Sequence, residues 1–223
     1  MGILISPSVL NSDLSNLAHE VGRVAAHCDY IHIDVMDNHF VPNLTLGLPV
    51  IESLLRHQQV PADCHLMIED PDRWAPAYAE AGAASVTFHV EAAAKPTQIC
   101  RDLRAAGARA GVAIKPGTSI DAVADLIAEL DMILIMTVEP GFGGQSFMAD
   151  MLPKIEQARA LARASAADIW VQVDGGIDVT NIERCARAGA NVFVAGSAVY
   201  RAEDPGRMVD HLRSLAMGVA YVG

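Results

Sequence analysis

The sequence predicts an α/β fold, a single (β/α)8 barrel running over residues 1–223. Three observations carry that reading. Short apolar runs alternate with Ala-, Leu-, Arg- and Glu-rich segments of helical length, eight times over, and no Pro/Gly-rich linker interrupts them. Strict alternation implies a parallel sheet, and eight units closing on themselves make a barrel. The turn after the first run reads Ser6-Pro7-Ser8-Val9-Leu10-Asn11, which lacks the glycine fingerprint that an open, doubly wound sheet uses for a dinucleotide.

The elements follow in order. A strand over 3–9 leads into a helix over 14–26, with Ser12 or Asp13 as its cap. A strand over 30–35 precedes a helix over 47–57, and a strand over 62–67 precedes a helix over 71–81. The fourth pair is 84–89 and 96–106, and the fifth is 109–114 and 119–129, where Ser119 stands before Asp121 as a cap. Strands over 131–137, 168–173 and 191–195 pair with helices over 149–165, 178–188 and 204–215, Asp178 opening the seventh. Gly82, Gly107 and Gly189 fall where helices should stop. In this TIM-barrel architecture, active sites lie at the C-terminal ends of the strands.

Composition narrows the function classes. Apolar residues make up 52%, enough for a large core. Aromatics at 5% argue against stacking platforms for single-stranded nucleic acid. A net charge of −11 argues against nucleic-acid and anionic-membrane partners, so any anionic ligand must be held locally. Cys28, Cys64, Cys100 and Cys185 show no C-x-x-C spacing and, with no basic signal region in Met-Gly-Ile-Leu-Ile, read as reduced thiols in a cytoplasmic protein. No apolar run approaches the roughly 18 residues of a membrane span.

The chemistry starts at Ile31-His-Ile-Asp-Val-Met-Asp37. Strand side chains alternate faces, so His32 and Asp34 point one way and Ile31, Ile33 and Val35 the other. Burying an imidazole beside a carboxylate is costly without compensation, and a metal ion supplies it most simply. A lone buried histidine is more often a satisfied core residue than a ligand. His65 and Asp174, however, end two other apolar runs, and together with Ser8 all fall on one rim of the barrel. Two imidazoles and two carboxylates suit one divalent ion: zinc, iron(II), cobalt or manganese.

Three successive glycine segments point to phosphate: Glu139-Pro-Gly141-Phe142-Gly143-Gly144-Gln145, Asp174-Gly175-Gly176 and Ala195-Gly196-Ser197-Ala198. Glycines let backbone amides approach an anion, and a short helix start beyond the eighth strand adds its dipole. Almost no Lys or Arg lies near these segments, so amides would hold the dianion. Met36, Met67 and Met136, at strand ends on the same rim, would make a dry bed for a flat anionic intermediate or simply pack the core. Lys115 reads as a solvated rim lysine, because no partner base accompanies it. His89 reads as structural or as a group behind the ligands. Asp37, His39 and Asn43 line the mouth or an oligomer contact, and His19, His27, His57 and His211 read as surface residues.

A cation between carboxylates from the second and seventh strands suits proton abstraction beside a carbonyl, with return of a proton to the opposite face. That is the chemistry of an epimerase. The motifs Ser6-Pro7-Ser8, His32-Ile-Asp-Val-Met-Asp37, Phe40-Val-Pro-Asn43, His65-Leu-Met67, Pro140-Gly-Phe-Gly-Gly-Gln145, Val173-Asp-Gly-Gly176 and Ala195-Gly-Ser197 resemble the ribulose-phosphate 3-epimerase family over essentially the full length. The resemblance implies interconversion of D-ribulose 5-phosphate and D-xylulose 5-phosphate at C3, in the pentose phosphate pathway, with one divalent metal per subunit. By position it implies His32, Asp34, His65 and Asp174 as ligands, Asp34 as proton acceptor and Asp174 as donor. Ser8 and His65 would touch the sugar, the loop Gly141–Gly144 would close over it, and Gly175, Gly176, Gly196 and Ser197 would cradle the phosphate. The tail from Met217 to Gly223 carries no family signal. A closed homo-oligomer is the default expectation.

Three rivals remain at this point. One is an epimerase of a six-carbon ketose phosphate such as allulose 6-phosphate. Another is a lyase of the orotidine-phosphate decarboxylase type, which wants a lysine that Ala62–Met67 lacks. The last is a non-catalytic phosphate-binding barrel.

Overall fold

A computed structural model describes residues 2–165 and 167–219; the tail residues 220–223 lie outside it. Eight parallel strands are joined in the order β1-β8-β7-β6-β5-β4-β3-β2. They are β1 Leu4–Pro7, β2 Ile31–Met36, β3 Ala62–Met67, β4 Ser85–His89, β5 Arg109–Ile114, β6 Met132–Met136, β7 Trp170–Asp174 and β8 Val192–Ala195. The two ends of this sheet meet where Ser8 bridges His32, which closes the barrel. Each apolar run of the sequence is thus a strand.

Helices follow the strands as expected: α1 Leu17–Gly22, α2 Leu48–His57, α3 Pro71–Glu80, α4 Pro96–Ala105, α5 Leu152–Ala164, α6 Ile182–Ala188, α7 Ser197–Tyr200 and α8 Pro205–Val219. Three differences from the sequence reading have local causes. The first helical segment begins as a 3₁₀ turn, Leu14–Asn16, with the Asp13 side chain accepting from the Ser15 amide. Residues Ile120–Glu129 wind as a 3₁₀ helix rather than an α-helix. Ile120, Val123 and Leu126 recur at every third residue, which places them on one line of a three-residue turn. The seventh helix starts at Ile182, four residues after Asp178, because Asp178 Oδ1 accepts from the Thr180 amide in a turn of its own. Gly82, Gly107 and Gly189 all lie at positive φ.

Strands β2, β3, β4 and β6 are buried at every position. Their outward side chains, such as Ile31, Ile33, Leu66, Phe88 and Ile133, pack into one core with the helices. On α4, Ile99, Cys100 and Leu103 face that layer, each large apolar side chain contributing about 1.5–3 kcal/mol. The inward side chains split in two. Ala113, Leu134, Met136 and Val138 make an apolar cluster beneath β5 and β6. On β1, β2, β3, β4 and β7 the interior carries polar groups: Ser6, His32, Asp63, His65, Ser85, Thr87 and Gln172 are at most 2% exposed. Among the described residues no helix is long and apolar enough to cross a membrane.

Candidate active site

The polar half of the interior rises to the C-terminal rim through β2, β3 and β7. His32 and Asp34 share the inward face of β2, and the register places Asp34 beside His65 of β3. His32 Nε2 lies 3.4 Å from Asp34 Oδ1 and 3.7 Å from Asp174 Oδ2. His65 Nδ1 lies 3.4 Å and 3.5 Å from the same two oxygens. One ligand atom from each of the four residues falls within 4.8 Å of the others. The other carboxylate oxygen of Asp34 accepts from Ser8 Oγ at 2.5 Å.

Both imidazoles are held from behind. His32 Nδ1 meets Asp63 Oδ2 at 2.8 Å, and Gln172 Nε2 donates to that same oxygen from across the barrel at 2.6 Å. His65 Nε2 meets His89 Nε2 at 2.9 Å. Each imidazole therefore spends one nitrogen on the protein and aims the other at the common centre. Those two nitrogens, His32 Nε2 and His65 Nδ1, are buried without a hydrogen-bond partner.

The electrostatics ask for positive charge at that centre. Burial pushes the Asp34 carboxyl up, but the charge of His32 and the close approach of both imidazoles outweigh it and hold Asp34 below the usual carboxylate range. Burial pushes Asp63 up as well, and His32 with Gln172 again brings it down. For the imidazoles burial acts downward, while Asp34 and Asp63 raise His32, and Asp174 and Asp34 raise His65. Three carboxylates gathered around two imidazoles would be an expensive burial without compensating positive charge. A divalent ion at the focus fits it: two imidazole and two carboxylate donors are hard-to-borderline ligands, and tetrahedral bonds of about 2.1 Å put ligand atoms about 3.4 Å apart.

Above this floor opens a cavity. Ser8, Asp34, Asp174, Met36, Met67 and Met136 line its lower part, and Gly141 to Gly144, Gly175, Gly176, Gly196 and Ser197 its upper part. Gly176 has φ +66°, and a Cβ there would lie 2.6 Å from the Phe147 amide nitrogen. The backbone at Gly176 thus packs directly against that of Gln145 and Phe147. The loop over the mouth is tied down: Asn43 Nδ2 donates to Gly141 O at 2.8 Å, and Gln145 Nε2 donates to Glu139 O and Phe142 O. Phe142 itself is 54% exposed.

A model of the Ribulose-phosphate 3 epimerase family matches residues 4–200. The chain belongs to the ribulose-phosphate 3-epimerase family. The ribulose-phosphate 3-epimerase of Mycobacterium tuberculosis is 53% identical over 215 residues, which cover 96% of this chain and 93% of that protein. The cytoplasmic isoform from Oryza sativa subsp. japonica is 44% identical over 219 residues, with 96% and 94% covered. A solved structure of 3-keto-L-gulonate-6-phosphate decarboxylase from Vibrio cholerae superposes with a TM-score of 0.75 over 99% of this chain and 100% of that one. At 17% identity this is a likeness of fold alone. Membership in the ribulose-phosphate 3-epimerase family makes the chain an isomerase acting on carbohydrates.

Some groups at this epimerase-family site escape the sequence reading. Asp63 and Gln172 are the main omissions, though strand parity offered a signal, since each sits two residues before a rim residue on the same face. Asn11 is another: a Cβ on Gly143 or Gly196 would collide with its amide, so it wedges between two of the glycine loops. Arg201 corrects the expectation of amides without cations. Its guanidinium lies 3.7 Å from where a Gly144 Cβ would be, and with Arg184 it lines an adjoining cavity that shares Gly144, Gly176 and Ser197. One turn of α7 brings it back over the loop. Lys115 is only half-exposed, its ammonium 3.7 Å above the Phe40 ring. Asp37 spends its carboxylate on the amides of His39, Phe40 and Glu69 and so shapes the loop after β2.

Proposed function

We propose that the chain inverts C3 of D-ribulose 5-phosphate to give D-xylulose 5-phosphate, and the reverse, by proton transfer between Asp34 and Asp174. The observation that carries the reading is the pair of carboxylates converging on two orphaned imidazole nitrogens, at the foot of a cavity whose far end is backbone glycine. Asp34, held ionised, takes the C3 proton from one face. Asp174, on the opposite side of the mouth and partly open to the cavity, delivers a proton to the other face, and the roles exchange in the reverse direction. Ser8 keeps the Asp34 carboxylate oriented through its hydrogen bond. His32, Asp34, His65 and Asp174 would hold one divalent cation. When bound, it polarises the substrate carbonyl and stabilises negative charge on the enediolate.

The amides of Gly175, Gly176, Gly196 and Ser197 are assigned to the phosphate, with the Gly141–Gly144 loop and Phe142 excluding water above the sugar. The three buried methionines give the planar enediolate an apolar, polarizable bed. A cytoplasmic homo-oligomer belongs to the same reading, supported by the name of the rice relative and by the prevalence of closed symmetric assemblies.

Solvent-deuterium incorporation at C3, with and without a chelator, tests the chemistry. The parent should exchange, chelation should stop exchange, and Asp34→Asn should lower turnover by at least ~10²-fold, a general base being worth about 10²–10⁴. Absence of exchange in the metal-loaded parent overturns the mechanism. Faster turnover of a hexulose 6-phosphate than of the pentulose would reassign the substrate.

A further inference from the structure

Behind His65 runs a line of groups that the proton transfer does not use. His65 and His89 meet nitrogen to nitrogen at 2.9 Å, with ring planes 27° apart, so the rings lie edge to edge and near coplanar. On the far side, His89 Nδ1 lies 3.2 Å from Glu91 Oε2. The other Glu91 oxygen accepts from the Lys115 amide at 2.7 Å and from Thr118 Oγ1 at 2.6 Å. The loop that carries those donors is pinned in turn, because Lys154 Nζ donates to the carbonyls of Lys115, Pro116 and Thr118. Phe40 packs on the His89 ring at 4.8 Å between centroids.

Only one arrangement of protons satisfies this line. The bare His65 nitrogen is Nδ1, aimed at the carboxylate pair, so its proton sits on Nε2 and is donated to His89. His89 must then accept at Nε2, carry its own proton on Nδ1 and give it to the Glu91 carboxylate. Donors and acceptors are used up at every step.

The geometry points to His89 and Glu91 as positioning residues that fix the tautomer and ring angle of His65, and so set the affinity of the site for its divalent cation. The inference rests on the cation reading given above. His32 is held directly by Asp63; His65 is held by a carboxylate at one remove, through a second imidazole.

The test uses the full chain with cobalt(II) and zinc(II) as probes. Competition with a chelator should show cobalt(II) bound about 10–100-fold more weakly in His89→Phe and in the near-isosteric Glu91→Gln. Both variants should also shift the cobalt ligand-field absorption bands, which a loss of stability alone would not move. In the zinc-loaded parent, nitrogen-15 NMR should find the His65 proton on Nε2 and the His89 proton on Nδ1, a readout that needs no variant. Affinities within twofold of the parent in both variants, or an His89 proton on Nε2, would overturn the inference. A parent that binds neither ion overturns the cation reading itself, and this inference with it.

Discussion

Glu91 is a carboxylate that answers to four partners: His89, Thr118, the Lys115 amide and the solvent at its edge. Burial raises its pKa, but the hydrogen bonds from His89, Thr118 and Lys115 outweigh burial and bring it from an ordinary 4.5 down to about 2. A folded-state pKa below the unfolded one means that the ionised form stabilises the fold. That contribution is complete above about pH 5 and drains away as pH falls through 4.5 toward 2. Glu91→Gln should therefore be less stable than the parent in urea at pH 7, and the gap should narrow steadily between pH 5 and pH 2. A gap that stays constant over that range would deny the carboxylate its role. His89, by contrast, is pushed down to about 4, mainly by burial, and is neutral at pH 7.

At the scale of elements, the strand ends and the loops that leave them do separate jobs. Strands aim the carboxylates and imidazoles proposed for the chemistry, and the loops carry the glycines assigned to the ligand. Gly176 sits where both demands meet, at positive φ and against the Phe147 backbone. Gly176→Ala should cost about 1–3 kcal/mol of stability from the φ alone and raise KM more than it lowers kcat, as thermal melts and steady-state kinetics would record. An unchanged KM would remove this glycine from the phosphate cradle. The strands were legible from the chain because a barrel strand buried on both faces is an apolar run, and a histidine or aspartate inside such a run stands out. The rim position of His32, Asp34, His65 and Asp174 followed from counting strands. Contacts between strands were not legible. His65 pairs with Thr87, so His89 reaches it on the diagonal, and Gln172 reaches Asp63 across the barrel interior. Neither follows without register and closure. The winding of Ile120–Glu129 was hidden for another reason: apolar spacing of three fits an α-helix loosely and a 3₁₀ helix well.

Over the whole molecule, charge and closure matter most. A chain of net charge −11 repels a sugar phosphate at long range. The exposed Arg184 and Arg201, beside the end of the cavity assigned to the phosphate in the proposed function, offset that field locally. Replacing both with alanine should lower kcat/KM about tenfold at low salt, leave kcat little changed, and lose its effect near 0.5 M salt, where the screening length falls to a few ångströms. A loss of kcat/KM that ignores salt would point to direct contact instead. Closure has a different consequence. The seam between β1 and β2 is where Ser8 meets His32 and Asp34. In an opened sheet of the same strand order, Asp34 on β2 and Asp174 on β7 would stand five strands apart, about 24 Å at ~4.8 Å per strand. In the barrel their ligand oxygens lie within 4.8 Å. An intermediate that had paired every other strand would have its secondary structure and its helices, yet no proton-transfer pair. Under the two-carboxylate mechanism proposed above, turnover would therefore report closure of this seam.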